Sequence, residues 1–422
     1  MQPKVDEDMA SLTAGKPPAG AANAWHVFLI FLRLGLTSFG GPTAHLGYFR
    51  EEFVNRRRWL NDHSYTDLVA LCQFLPGPAS SQVGLALGLS RAGYSGALAA
   101  WTGFTLPSAI ALILFAQGIS AWGEVIPQGL LQGLKIAAVA VVAQAVWGMA
   151  RSLCVGALRV SIMAIACCAV LAWPGVLSQV GVIIAAGFAG LFLFRQHENS
   201  AHEPLTITIS RSTGAFFLTI CAALLIVLPL LAQAWPSQAL SMFDVFYRAG
   251  SLVFGGGHVI LPLLQAEVVP NGWVANETFL AGYGAAQAVP GPLFTFASFL
   301  GASMTTPPNG WLGGLLCLIA IFVPSFLIVT GALPFWEQLR SNHSMRAALN
   351  GINAAVVGLL LAALYDPVWT SAIHSPADFG LGLLAFVALT FWRLAPWLVV
   401  LGCGLGGWLL TLAALVVRLG GT

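Results

Sequence analysis

The sequence predicts an all-α polytopic integral membrane protein made of two inverted repeats, with broken or re-entrant helices and about thirteen apolar segments. Three observations predict it. Of the 422 residues, 58% are hydrophobic and 8% charged, and the mean hydropathy is +0.82. Soluble domains carry about 25% charged residues, whereas residues 96–123 carry none. The second observation is internal repetition, and the third is an exchange of charge between corresponding loops.

The repetition begins where FLRLGLTSFGG, from residue 31, aligns with FYRAGSLVFGG, from residue 246. Arg33 then meets Arg248, Phe39-Gly40-Gly41 meets Phe254-Gly255-Gly256, and Glu52 meets Glu267. One residue fewer pairs Trp59 with Trp273, and QFLPGP, from Gln73, with QAVPGP, from Gln287. Further on, Pro107-Ser108 faces Pro324-Ser325, and GLKIAAVAV (133–141) faces GINAAVVGL (351–359). Matches kept in one order along the chain mark a duplication.

Charge orients the copies. Arg50, Arg56, Arg57 and Arg58 share one loop, Arg91 falls in the next, and Arg151 and Arg159 in a later one; the turn near 119–130 carries only Glu124. In the second copy the counterpart of the arginine loop holds Glu267 and Glu277 with no Lys or Arg. The counterpart of the Glu124 turn holds Arg340, His343 and Arg346. Positive residues mark the cytoplasmic side, so one copy is upside down relative to the other. An apolar segment at 213–233 supplies the extra crossing that inversion needs.

Each half shows apolar segments near 25–47, 65–90, 95–118, 131–150, 160–173 and 176–194, or their repeats. If all cross, the Arg50–Arg58 loop falls outside, against the charge rule. If the first two segments of each half are re-entrant hairpins, folded at Gly40-Gly41-Pro42 and Pro76-Gly77-Pro78, the loop stays inside. The charge rule favours the hairpins. The chain divides into a disordered cytoplasmic tail (1–24), a first membrane repeat (25–195), a linker with one crossing helix (196–240) and a second repeat (241–422). The tail has no signal-peptide pattern. Under either count the N-terminus is cytoplasmic and the C-terminus periplasmic.

FGGPTAHLGYFREEFV, YTDLVALCQFLPGPASSQVG and GFTLPS resemble the signature of the chromate ion transporter family in its long two-domain form. FGGGHVILP and QAVPGP resemble that family's C-terminal domain. The resemblance implies efflux of chromate across a bacterial inner membrane and resistance to it.

Chromate is a tetrahedral dianion close in size and shape to sulfate. A site for it needs hydrogen-bond donors and positive potential where water is scarce. Half-helix N-termini supply both. Pro76-Gly77-Pro78 and Pro290-Gly291-Pro292 suit this role, because glycine admits a ligand to the backbone and proline ends one half-helix and suits the start of the next. Gly40-Gly41 and Gly255-Gly256 mark the other breaks. Ser80 and Ser81 fall in the first turn after the first PGP, where their hydroxyls either cap amides or donate to the anion; in the repeat the donor is Thr295. Gln73 and Gln287 either bond across helices or reach the anion. A plain proline kink is the alternative reading of a single PGP.

Arg33 and Arg248 lie inside apolar segments, where a lipid-facing arginine costs about 2.5–3.5 kcal/mol on insertion scales. They either attract the substrate, snorkel, or form salt bridges, with Glu52 or Glu267 as candidate partners. These two glutamates are also candidates for coupling to protons. Lys135, opposite Asn353, reads as interfacial, and His45 and His258 as satisfied polar residues. Asp67 has no acidic counterpart, its match being Ala281, and reads as local structure or an ion pair.

One charge moved through 100 mV is worth about 2.3 kcal/mol. A dianion leaving a negative interior therefore gains about 4.6 kcal/mol, enough for an outward gradient above a thousandfold. Efflux driven by potential is the economical mechanism, with proton coupling open. A transporter for sulfate or another oxyanion, and an anion channel, are the alternatives. The seven cysteines form no CxxC, and no dinucleotide, haem or HExxH motif occurs, which argues against an enzyme, a cofactor or a metal. No basic, aromatic-interleaved cluster suggests nucleic acid. The expected partners are chromate, sulfate as a competitor, and the lipid bilayer; a homo-oligomer is left open.

Overall fold

The computed structural model describes residues 23–122, 127–194 and 209–420. Of the expected tail (1–24), residues 1–22 lie outside the described residues, as do Glu124 and the segment 195–208, while Asn23 caps α1 and Ala24 begins it. The first half comprises α1 (Ala24–Thr37), α2 (Gly41–Arg50) running on as a π-helical turn (Glu51–Arg56), α3 (Asp62–Phe74), α4 (Ala79–Trp122), α5 (Gln128–Leu153), α6 (Ala157–Ala172) and α7 (Val176–Leu193). Helix α8 (Arg211–Ala234) links the halves. The second half comprises α9 (Gln238–Leu252), a 3-10 turn (Gly257–Val259) into α10 (Ile260–Val268), α11 (Asn276–Ala286), a 3-10 turn (Leu293–Thr295) into α12 (Phe296–Ala302), α13 (Gly310–Ala332), α14 (Trp336–Ser341), α15 (His343–Ala363), α16 (Pro376–Thr390) and α17 (Pro396–Gly420).

The first two segments of each half are re-entrant hairpins. Helix α1 stops at Ser38, and the chain turns through Gly40 (φ +102°) and Gly41 (φ +77°), where a side chain would strain the backbone. It returns as α2 to the end it left, because the Arg57 guanidinium lies 3.3 Å from His26 Nε2. The second hairpin enters as α3, breaks at Leu75–Pro78 and returns along α4 to a kink at Ala92-Gly93. Arg91 there stacks over Trp59 at 4.7 Å, again at the starting end. In the second half Thr305 N–H bonds the Trp273 carbonyl at 3.0 Å, which closes α11 and α12 into the matching hairpin. Half-helices are tolerated at membrane depth because they are buried in protein.

Seven described helices or helix runs are long and apolar enough to cross a membrane; one is the α4 run, whose limb up to Ala92-Gly93 belongs to the second hairpin, and the others include Gln128–Leu153, Arg211–Ala234 and Gly310–Phe335. Helices α6 and α16 are shorter apolar helices. Following the chain through these passes, Arg50, Arg56, Arg57, Arg91, Arg151, Arg159, Arg211, Arg346 and Arg393 all fall at one end of the bundle. The hairpins of the second half enter from the other end. Large side chains on the outer face, such as Leu177 (90% exposed) and Phe192 (80%), suit hydrocarbon and not water.

The halves exchange partners. Helix α5 of the first half packs on α16 and α17 of the second, and α15 packs on α6 and α7. Glycines make both contacts close: a Cβ on Gly133 would run into the Cys403 carbonyl, and one on Gly351 into that of Ala186. Small residues of this kind let backbones approach where lipid offers no hydrophobic drive.

Candidate oxyanion site at the crossed helix breaks

The tips of the four hairpins meet one another inside the bundle. Gly77 N–H donates to the Val253 carbonyl at 2.7 Å, and Gly291 N–H donates to the Ser38 carbonyl at 3.0 Å. Ser38 and Val253 are aligned residues of the repeat, as are Gly77 and Gly291. Each PGP break is therefore tied to the Gly-Gly break of the opposite half. A Cβ on Gly77 would lie 3.0 Å from Ser325 Oγ, and one on Gly291 would lie 2.9 Å from Ser108 Oγ. The two Pro-Ser pairs matched in the sequence thus sit against the opposite PGP. Both glycines also hold positive φ, +118° and +99°.

The crossed bonds act on the electrostatics. Each break holds the C-terminal carbonyls of one half-helix and the N-terminal amides of the next, with opposite partial charges. The amides of Gly77 and Gly291 satisfy carbonyls on the outgoing side. On the returning side α4 starts at Ala79 and its first helical bond is Gln82 N–H to the Pro78 carbonyl. The amides of residues 79–81 thus have no carbonyl upstream in their own helix. Helix α2 and the 3-10 turns at Gly257 and Leu293 begin in the same way.

Buried side-chain atoms without a hydrogen-bond partner lie at the end of α1 and on α4 and α13, although Gln82 is engaged through Nε2, which donates to the Pro76 carbonyl at 2.6 Å. Ser38, Ser81, Gln82, Thr105 and Ser325 are each at most 4% exposed, and Ser38 Oγ, Ser81 Oγ, Gln82 Oε1, Thr105 Oγ1 and Ser325 Oγ lack a hydrogen-bond partner. Buried polar groups are nearly always satisfied, so these atoms are candidate contacts for an ordered water or a polar ligand. Ser80 differs from Ser81. The His45 ring spans the Ser38 carbonyl (Nε2, 3.1 Å) and Ser80 Oγ (Nδ1, 3.4 Å). A carbonyl only accepts, so Nε2 carries the proton and the Ser80 hydroxyl donates to Nδ1. Thr295 Oγ1 is likewise committed, to the Pro292 carbonyl at 2.7 Å. His258 bonds the Tyr283 hydroxyl at 2.8 Å.

Gln73 is exposed on α3, while Gln287 is partly buried with Nε2 unpartnered. Arg33 is exposed on α1 and in no ion pair among the described residues. Arg248 is clamped: its Nη2 lies 2.9 Å from Asp244 and its Nη1 3.0 Å from Glu267. Glu52 bonds Arg57 at 2.6 Å and Arg56 at 3.1 Å, and not Arg33. Lys135 reaches Glu277 at 4.0 Å, and Asp67 lies 3.7 Å from His63. Gly40 and Gly41 flank the Ser38 break and Gly255 and Gly256 the Val253 break; Pro76, Pro78, Pro290 and Pro292 bracket the two donor glycines. Sequence reasoning missed Ser38, Gln82, Thr105, Ser108 and Ser325 as site residues. The signal for two of them was available, because a Pro-Ser pair inside an apolar helix recurs in both halves.

A polar cavity of about 520 Å³ lies to one side, lined by Gln238, Ser241, Asp244, Arg248, Asn271 and Trp273. It lies where α8 ends and α9 begins. A second cavity, of about 560 Å³ between α4 and α13, is apolar and offers an oxyanion nothing.

The sequence matches the chromate transporter family over residues 25–191 and 240–408. It is 29% identical over 397 residues to a chromate transport protein of Pseudomonas aeruginosa, covering 91% of each chain. It is 28% identical over 395 residues to a chromate transport protein of Cupriavidus metallidurans, covering 90% of this chain and 91% of that one. A probable chromate transport protein of Synechococcus elongatus is 26% identical over 372 residues, covering 86% of this chain and 88% of that one. No solved structure matches the chain.

Proposed function

The chain belongs to the chromate transporter family, and on that premise we propose that it exports chromate from the cytoplasm across the bacterial inner membrane and so confers resistance to it. The observation that carries the site is the reciprocal pair of bonds, Gly77 to Val253 and Gly291 to Ser38. They occupy carbonyls at two outgoing half-helix ends and leave the returning amides to face an anion. Chromate binds at the crossed breaks through those amides and the hydroxyls of Ser81 and Ser325. Ser80, held by His45, orients the break.

The arginine-rich end is cytoplasmic by the positive-inside rule, which puts the N-terminus inside and the C-terminus in the periplasm. Arg33, in no ion pair among the described residues, draws the dianion toward the breaks. The membrane potential drives export, since a dianion gains about 4.6 kcal/mol per 100 mV. Residues 25–195 and 241–422 act as the two repeats, which alternate access to the site between them.

Chromate flux in proteoliposomes at a clamped potential, with and without a pH gradient, tests this reading. Flux that follows the potential supports it. Flux that ignores the potential and follows only the pH gradient overturns the driving force, and points to Glu52 and Glu267 as coupling groups. Transport of sulfate without chromate overturns the substrate.

A further inference from the structure

The repeat places Arg33 and Arg248 at matched positions on opposite sides of the breaks, yet their surroundings have opposite charge. On the arginine-rich side the residue matched to Asp244 is Leu29, and Glu52 is held by Arg56 and Arg57. Among the described residues Arg33 therefore has no carboxylate on it. On the other side Asp244 holds Arg248 through two bonds, at 3.3 Å to Nε and 2.9 Å to Nη2, and Glu267 takes Nη1 at 3.0 Å. One cation with two carboxylates carries a net charge of −1. The Arg248 side chain keeps 29% exposure and lines the polar cavity, together with Asn271 and Trp273.

A staple between α9 and α10 needs only the Glu267 bond. The second carboxylate, itself 5% exposed, adds burial cost and like charge beside Glu267. What it accomplishes is to fill the remaining face of the guanidinium, the group best shaped to bind a tetrahedral oxyanion in two-point fashion.

We propose that Asp244, Arg248 and Glu267 form a competitive exit gate for the oxyanion. The two carboxylates occupy the guanidinium that the leaving anion would otherwise hold. An anion moving out from the breaks displaces a carboxylate from Arg248, meets the like charge of both, and is released as the carboxylates close on Arg248 again. The free Arg33 on one side and the neutralised Arg248 on the other make the transporter bind readily from the arginine-rich side and poorly from the opposite one. This inference rests on the proposed oxyanion transport and orientation.

The test uses everted membrane vesicles, whose lumen faces the cavity side, preloaded with sulfate or chromate at a series of concentrations. Chromate uptake by the wild type is expected to resist luminal anion. Asp244→Asn/Glu267→Gln is expected to lower the half-inhibitory luminal concentration about tenfold or more, as charge-assisted bonds to Arg248 become available to the anion. Adding Arg248→Gln is expected to remove that gain, a dependence that loss of packing would not produce. Equal luminal inhibition of wild type and double variant overturns the gate. If the double variant does not fold, sulfate binding to purified Asp244→Asn and Glu267→Gln decides: tighter binding supports the gate, and unchanged or weaker binding overturns it. Failure of wild-type vesicles to take up chromate would instead strike the functional reading.

Discussion

Two glycines set the geometry on which the site depends. Gly77 and Gly291 combine positive φ with a serine hydroxyl within 3.0 Å of where a Cβ would stand, so alanine there meets both strain and a clash. Gly77→Ala and Gly291→Ala are each expected to abolish chromate uptake in vesicles, with Gly47→Ala, whose Cβ meets nothing within 4 Å, as the control. Glu52 makes a second expectation, in the loop between the hairpins. Burial pushes its carboxyl up, but hydrogen bonds from Arg57 and Arg56 outweigh this and hold it below the usual carboxylate range. A depressed carboxylate stabilises the fold above its unfolded value, about pH 4.3, and that contribution is lost as pH falls through the folded value. Melting temperature of the wild type should therefore drop more steeply below pH 5 than that of Glu52→Gln, with about pH 4.3 as the reference point. The glycines were legible in the sequence as paired PGP and Gly-Gly breaks. The commitment of Ser80 to His45 was not, because it needs the tautomer that the Ser38 carbonyl imposes.

At the scale of elements, the charge pattern already favoured re-entrant hairpins, and the His26–Arg57 and Trp59–Arg91 contacts carry that fold. The expected consequence is that Asn55→Cys reacts with an impermeant thiol reagent in everted vesicles and not in intact cells; reaction in intact cells would contradict the proposed orientation. What hydropathy did not carry is the exchange of α5 and α15 between halves, since these helices are predominantly apolar and periodicity names no partner. The glycines at the crossings record it instead. Gly133→Leu should drive a side chain into the α17 backbone, with overpacking of about 1–3 kcal/mol visible as a lower melting temperature. A leucine at Gly148, which has nothing within 4 Å, should be tolerated.

The whole molecule reads as two half-sites that are incomplete apart. Each half supplies a PGP amide whose acceptor lies in the other, and a serine that sits on the other's break. The duplication and inversion could be read from aligned motifs and loop charges. The crossing of the half-sites could not, because no local pattern says which break faces which. The asymmetry at Arg33 and Arg248 was hidden for a similar reason: Leu29 against Asp244 looks like an ordinary mismatch until the fold brings Asp244 onto the guanidinium. The central claim, one oxyanion site shared between the halves, is tested most directly by calorimetric titration of chromate into the purified protein. One chromate per chain is expected, with Ser81→Ala in the first half and Ser325→Ala in the second each weakening that same site about tenfold, the loss of one hydrogen bond to a charged group. Two independent sites, or unchanged affinity in both variants, would contradict it.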